Sequence, residues 1–370
     1  MGAWDNMNRL VMFVLLFSMV LTGCSLSEKK QVSIPDDFPE MVATFADYHA
    51  PPSQMTIGMI GDILLHNPLY TYEDYAYSFE EVKAPLEEID FLLANQESMP
   101  AGDLFPYSGY PAFNSPAHII EGLKNVGVDM VSIANNHTLD RSEKGILAAI
   151  ENIKSYDMPY VGAYTSEKDQ NEPRIMTVNG ITLGILAYTY GTNGIPTPVG
   201  KDYLVARIDP DRISREVAEL KKLVDVAVVS MHWGNEYELT PNESQVDLAQ
   251  VVADAGGDII FGHHPHVLQP FDKLTGINGN DTHVFYSLGN FYSGQKFEYT
   301  DIGGIARLTI EKNPNAAGNP ISIHDASFHP TAVSKDKQGI FKVVPLISVE
   351  NDKIVTNDWV LDHMKATMFK

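Results

Sequence analysis

The run Gly262-His263-His264-Pro265-His266 puts three histidines within four residues, a density for which packing gives no reason. In an extended segment residues two apart point the same way, so His264 and His266 can turn two imidazoles to the same side. Other polar clusters recur along the chain: Gly61-Asp62, Asn95-Gln96-Glu97, Asn135-Asn136-His137 with Asp140 after it, His232-Trp233-Gly234-Asn235-Glu236, and Leu288-Gly289-Asn290. Carboxylate, imidazole and amide oxygen without thiolate suit a hard to borderline divalent ion such as manganese, iron or zinc. A carboxylate bridging two such ions would place them close enough to clamp the attacking and leaving oxygens of a phosphoryl displacement. Taken singly, each cluster has a plainer use. Gly-Asp after a strand makes a turn, an Asn-rich segment caps a helix, His232 beside Trp233 suits a hydrogen-bonded core histidine, and Asn290 reads as structural.

Position is what joins them. Apolar runs at 55–60, 89–94, 129–134, 181–188, 226–231, 258–261, 284–288 and 305–310 have strand length and composition. Helical stretches separate most of them. Ser115-Pro116 predicts a helix start that Gly127 stops, and Thr240-Pro241-Asn242-Glu243 reads as a capping box before a helix ending at Gly256-Gly257. Segments 141–156 and 210–223 predict two more helices, and 100–116 and 190–203 read as long surface loops of the kind that bind substrate. This alternation argues for an α/β fold. Six strands are each followed by one of the polar clusters, and in α/β sheets ligands bind beyond the carboxyl ends of strands. One composite site is the expectation.

The rest of the chain bounds the function. Its 370 residues carry 48 acidic against 26 basic side chains, a formal charge of −22, which repels nucleic acid and argues against phosphate-backbone binding. One cysteine excludes an intrachain disulfide and a thiolate zinc cluster. That cysteine ends an informative leader: Arg9, then a short apolar run, then Leu21-Thr22-Gly23-Cys24. The leader reads as a secretory signal at 1–23, too short to span a bilayer comfortably. The four last residues look like a bacterial lipobox, with Cys24 as the lipidated N-terminus of a protein held at the outer face of the cell membrane. Residues 24–54 then read as a tether, 55–312 as the core, and 313–370 as a β-rich appendage of shorter, less regular strands.

Taken in order, Gly61-Asp62-Ile63-Leu64, Asn95-Gln96-Glu97, Asn135-Asn136-His137, His232-Trp233-Gly234-Asn235-Glu236, Gly262-His263-His264-Pro265-His266 and Ser287-Leu288-Gly289-Asn290 resemble the CapA (PgsA) family of poly-γ-glutamate capsule biosynthesis proteins. That family looks like a branch of the calcineurin-like metallophosphoesterases, so the resemblance implies a four-layer α/β/β/α sandwich holding two divalent metal ions. It implies Asp62, Glu97, Asn136, His232, His264 and His266 as metal ligands, with Glu97 as the bridge. His137 would donate to a leaving oxygen and Asp140 would orient it. Glu236, His263 and Asn135 are further candidates for metal or substrate. The wider superfamily has Asp-x-His on its first strand, and here Leu64 stands at the second position, so that one ion is either weakly held or rescued by Glu236 or His66. The resemblance also implies membrane-embedded polymer synthesis or export proteins as partners, and an anionic polymer as cargo. Two other readings stand beside it: a metal-dependent phosphoesterase or hydrolase unrelated to capsule, and a non-catalytic assembly factor.

If the lipobox is used, Cys24→Ala shifts the protein from the membrane fraction to the soluble or uncleaved form. Fractionation with mass spectrometry of the N-terminus reads this directly, and an unchanged membrane-held, lipid-free protein would refute it.

Overall fold

A computed structural model describes residues 51–349 and 355–365. The leader, Cys24 and the tether up to residue 50 lie outside the described residues. In chain order the strands are β1 (Ser53–Leu64), β2 (Phe91–Gln96), β3 (Val128–Ser132), β4 (Tyr160–Val161), β5 (Arg174–Val178), β6 (Ile181–Thr189), β7 (Val226–His232), β8 (Ile259–His263), β9 (Leu268–Thr275), β10 (Asp281–Leu288), β11 (Asn290–Ser293), β12 (Ile302–Lys312), β13 (Ile321–Lys335) and β14 (Phe341–Pro345). They form two sheets. The first runs β14-β13-β12-β1-β2-β3-β4, with β11 also on β1, and the second runs β5-β6-β7-β8-β10-β9. Strands β1 to β4 are mutually parallel, as are β6, β7, β8 and β10.

Three apolar layers show how the sheets are stacked. Met55, Ile57 and Met59 of β1 and Phe91 and Leu93 of β2 share one buried cluster with Leu183, Ile185, Val228 and Phe261 of the second sheet. Alternate residues Ile60, Leu92, Ala94 and Val131 face the other way, onto helices Ile119–Lys124 and Ser142–Ser155. On the outer face of the second sheet, Val229, Met231 and Ile260 meet helices Pro210–Lys221 and Glu243–Asp254. The result is helix, sheet, sheet, helix, the expected four layers. Ile146, Ala149, Ile150 and Ile153 recur at the spacing that gives Ser142–Ser155 one apolar stripe.

Period-two geometry then decides where polar side chains go. On β7, Val226 and Val228 point into the space between the sheets, so Ser230 and His232 do too; on β8, Ile259 and Phe261 set the same parity for His263. Beneath the site Ser230 Oγ donates to Ser132 Oγ of β3 at 3.2 Å, a direct bond across the gap. Strand β1 departs from simple alternation. Asp62 is two residues after Ile60 and would share its helix-facing side, but Ile60 pairs with Ala94 and Asp62 with Asn95, so Gly61 is an extra residue in the ladder. The bulge turns Asp62 and Leu64 inward. Only glycine fits there, since a Cβ on Gly61 would lie 2.2 Å from the Gly289 oxygen.

Three details differ from the sequence reading. The helix Glu243–Asp254 is capped by Asn242, not Thr240: the Asn242 side chain accepts from Gln245 N, and Gln245 Oε1 accepts from Asn242 N, each at 3.0 Å. Gln245 is the partner three residues on that a capping box requires. The helix expected from Ser115 begins at Ile119, because the backbone of Ser115 is bonded to Met99 and Gly102 in the preceding loop. After residue 312 one strand is long, though β14 is short: β13 spans 15 residues and pairs along β12, where its partly exposed face hides the apolar pattern of a strand.

Gly262 is a test of the close packing under the site. A Cβ there would lie 2.0 Å from the Tyr286 oxygen and 2.7 Å from Trp233 Nε1, which itself donates to that oxygen at 2.9 Å. Gly262→Ala is expected to cost about 3 kcal/mol, as overpacking of a tight core does, and to lower Tm by several degrees in calorimetry; an unchanged Tm would contradict it.

Candidate metal centre

Asp62 sits at the middle of the cluster with no exposure. Its Oδ1 accepts from Asn95 Nδ2 at 2.9 Å and from His263 Nδ1 at 3.0 Å, and its Oδ2 accepts from His266 Nδ1 at 3.1 Å and His264 N at 3.3 Å. Burial opposes its charge, but the hydrogen bonds from His263 and His266 outweigh that and hold the carboxyl well below the usual range. His266 is fixed a second time by Asn290 Oδ1 at 3.1 Å, which leaves its Nε2 facing Glu97 Oε1 at 3.8 Å. A ring nitrogen fixed by an acceptor while the other stays free is the usual state of a metal-ligating histidine.

Glu97 is the second pivot. Both carboxylate oxygens are buried and have no hydrogen-bond partner among the described residues, and burial pushes its pKa well above the ordinary value. A bare carboxylate in such a place is costly, and a cation offsets the cost. His232 Nε2 stands 3.5 Å from Glu97 Oε1 and 2.8 Å from Asn136 Oδ1. His264 lies beside it, tilted by 50° with 4.9 Å between ring centroids, and its buried Nδ1 likewise finds no hydrogen-bond partner among the described residues. Burial depresses His232 far below its normal pKa and takes His264 to about 3, so both rings are neutral, the ligating form. Ligand atoms lie within 4.8 Å of one another in three overlapping sets: Asp62, Glu97 and His266; Glu97, His232 and His264; and Glu236, His264 and His266. Glu97 belongs to two of them, one on each side. The donor types and the orphaned carboxylate therefore fit divalent metal.

A cleft of about 750 Å³ opens over this centre, lined in part by Leu64, Phe113, His137, Glu236, Tyr237 and His266. His137 Nδ1 bonds Asp140 Oδ2 at 2.7 Å, and Asp140 is itself held by Phe113 N at 2.8 Å. The Phe113 ring meets His137 edge-on at 4.6 Å. His264 and His266 both adopt left-handed backbone, φ 94° and 60°, a strain that persists at sites where geometry serves a purpose.

Each candidate from the sequence is thus placed. Asp62, Glu97, Asn136, His232, His264, His266, His137, Asp140 and Glu236 come together in one region. Two others are occupied elsewhere. His263 uses Nδ1 on Asp62 and lies 3.4 Å by Nε2 from Met59 Sδ, so it positions Asp62 and does not face the cleft. Asn135 accepts from His137 N and donates to the Gln96 oxygen, shaping the turn that carries His137. His66 forms part of the cleft wall, its Nδ1 3.1 Å from the Leu64 oxygen, and burial lowers its pKa to about 4. Three participants escaped the sequence reading. Asn290 orients His266; Tyr190 packs on His264 at 4.6 Å; and Asn193 accepts from Asn136 Nδ2 at 3.2 Å while its own amide lies 3.3 Å from His137 Nδ1. Tyr190 and Asn193 lie in the loop 190–203, whose length was their only signal.

Comparison with known proteins bears on this arrangement. The family model for bacterial capsule synthesis protein PGA_cap matches residues 56–295, more than half the chain. The chain belongs to the PGA_cap family. The match takes in every residue of the centre from Asp62 to Asn290. Relatives include the capsule biosynthesis protein CapA of Bacillus anthracis, 30% identical over 80% of this chain and 74% of the relative, and the PGA biosynthesis protein CapA of Bacillus subtilis, 29% identical over 88% and 82%. Among solved structures, the 5'-nucleotidase precursor of Thermus thermophilus aligns over 79% of this chain and 54% of its own, at 17% identity and a TM-score of 0.43. That likeness is distant, and this chain spans about half of that protein's length.

For this PGA_cap chain the positioning role of His263 is testable. His263→Ala leaves every ligand in place but frees one side of Asp62, so manganese affinity should fall about 10- to 100-fold, the scale of outer-shell effects. Titration calorimetry measures it; wild-type affinity would remove the role.

Proposed function

We propose that the chain works in making or exporting a surface polymer, poly-γ-glutamate or a related capsule polymer, as a two-ion hydrolase or transferase anchored by Cys24 at the outer face of the membrane beside membrane-embedded synthesis proteins. The buried Glu97 carboxylate, without a hydrogen-bond partner among the described residues and set between two groups of candidate ligand histidines, carries the catalytic part of this reading. The capsule part rests on membership of the PGA_cap family and on the CapA relatives. Asp62, Glu97 and His266 would hold one ion, and Glu97, Asn136, His232 and His264 the other. Bound there, manganese, iron or zinc polarises a substrate oxygen and stabilises the negative charge that develops on it.

The chain's own groups supply the rest. Asp140 fixes the His137 ring through Nδ1, which leaves Nε2 as the nitrogen available to protonate a leaving oxygen or nitrogen at the cleft. Phe113 packs on both His137 and His66 and keeps that wall dry. Asn193 braces Asn136 and His137 together. Such a device suits cleavage of a phosphate ester or of an amide-like bond in a polymer.

Leu64, where the superfamily has a histidine, favours a second reading in which the centre is structural and the protein assembles a polymerase complex. One variant separates the two. His137→Ala touches no proposed ligand, so a catalytic centre predicts retained metal and fold with turnover of phosphoester or γ-glutamyl substrates reduced about 100-fold or more, together with loss of polymer in cells. Normal polymer output from His137→Ala, with output lost in Cys24→Ala, would refute catalysis in favour of assembly.

A further inference from the structure

The two sides of the centre are unequally furnished. On the His232 side stand Glu97, Asn136, His232 and His264; on the other stand Asp62, Glu97 and His266. The Gly61 bulge turns Leu64 to the same face as Asp62, where its buried, donor-free side chain lines the cleft that His266 and Glu236 also line. Strand β1 therefore offers this side of the cleft no donor side chain at position 64. Across the cleft, on the loop after β7, a Glu236 oxygen lies within 4.8 Å of nitrogens on both His264 and His266.

The placement of Glu236 is built in. Gly234 and Tyr237 on either side of it take left-handed backbone, φ 83° and 66°, and Tyr237 N donates to the Pro265 oxygen at 2.8 Å. That bond straps the loop carrying Glu236 to the one carrying His264 and His266. The Tyr237 ring lies over His266 with centroids 6.3 Å apart. Glu236 itself is exposed, unlike Asp62, Glu97 and every ligand histidine. His66, the other candidate, belongs to none of the three ligand sets, and its Nδ1 is turned toward the Leu64 oxygen.

We infer that Glu236, from the second sheet, supplies to the ion on the His266 side the ligand that position 64 cannot, and that this ion is consequently the cleft-facing, exchangeable one of an unequal pair. The inference rests on the metal centre proposed above and adds to it a ligand, an order of affinity and a direction of access. With Glu236 three carboxylates face two divalent ions; without it there are two, and the outer ion loses both a charge and a donor. Hard divalent ions fill vacant positions with water when the protein offers few oxygens, and are then readily lost.

The experiment uses the full chain in mild detergent, stripped with chelator and titrated with manganese chloride, followed by calorimetry, elemental analysis after desalting, and electron paramagnetic resonance. The wild type should bind about two ions with unequal affinity and give the signal of a coupled pair. Glu236→Gln should hold the tight ion unchanged, weaken the second at least tenfold, and give the signal of an isolated ion. Leu64→His added to Glu236→Gln should restore the second ion and the coupled signal. Circular dichroism checks that each variant is folded. Two ions at wild-type affinity in Glu236→Gln would overturn the inference, as would loss of both. A wild type with one ion, unchanged in Glu236→Gln, would overturn it while leaving a metal centre standing. A wild type that binds neither manganese nor zinc nor iron would overturn the centre itself.

Discussion

The carboxylate of Asp62 ties the two sheets to one another at the level of the site. It comes from β1 in the first sheet, yet three of its four hydrogen-bond donors, the rings of His263 and His266 and the backbone of His264, belong to the second. Its charge is tolerated in a fully buried place because those donors outweigh the cost of desolvation. Everything else in the centre is positioned relative to it: Asn95 by direct bond, Glu97 by strand alternation one step on, and His266 by the second oxygen. A single extra residue, Gly61, makes this possible, since without the bulge Asp62 would point at the helices.

Around this anchor neighbouring groups are pushed in different directions, and a proton favoured on His266 would leave when its Nε2 takes an ion. Burial leaves His232 and His264 neutral, whereas the carboxylates of Glu97 and Asp62 overcome burial at His266 and raise its pKa to about 9. Glu97 is pushed the other way, toward its neutral form. Such divergence among neighbours marks functional sites, because packing alone would not bring these groups together. The strained backbone at His264 and His266 has the same implication.

Much of this was legible in the chain. Clusters at the ends of apolar runs located Asp62, Glu97, Asn136, His137, His232, His264 and His266, because strand length and period fix where a polar residue can leave the core. What the pattern could not reveal was the second sheet: a list of strand ends is the same whether they line one edge or two facing edges, and only the resemblance to a family supplied the difference. Local spacing also cannot tell a ligand from its support. His263 lies between candidate ligands yet turns to Asp62, and Asn290 looked structural because its partner, His266, is far enough along the chain to be invisible. Strand β13, second from the end of its sheet, was missed for another reason, since a strand with one open face lacks the continuous apolar run of its buried neighbours.

The division of the ligands between the sheets has an effect on assembly. Residues 62 to 137 all precede residues 232 to 266, and strands β4 to β6 lie between them in the chain, so neither half of the protein contains either of the two candidate ligand sets that include Glu97. Each layer can form its ladder and pack its helices without completing either set that includes Glu97. An ion held through Glu97 would report, instead, that the layers have closed to within the reach of a Ser230–Ser132 hydrogen bond. Such a centre would act as a rivet, set only when both plates are aligned.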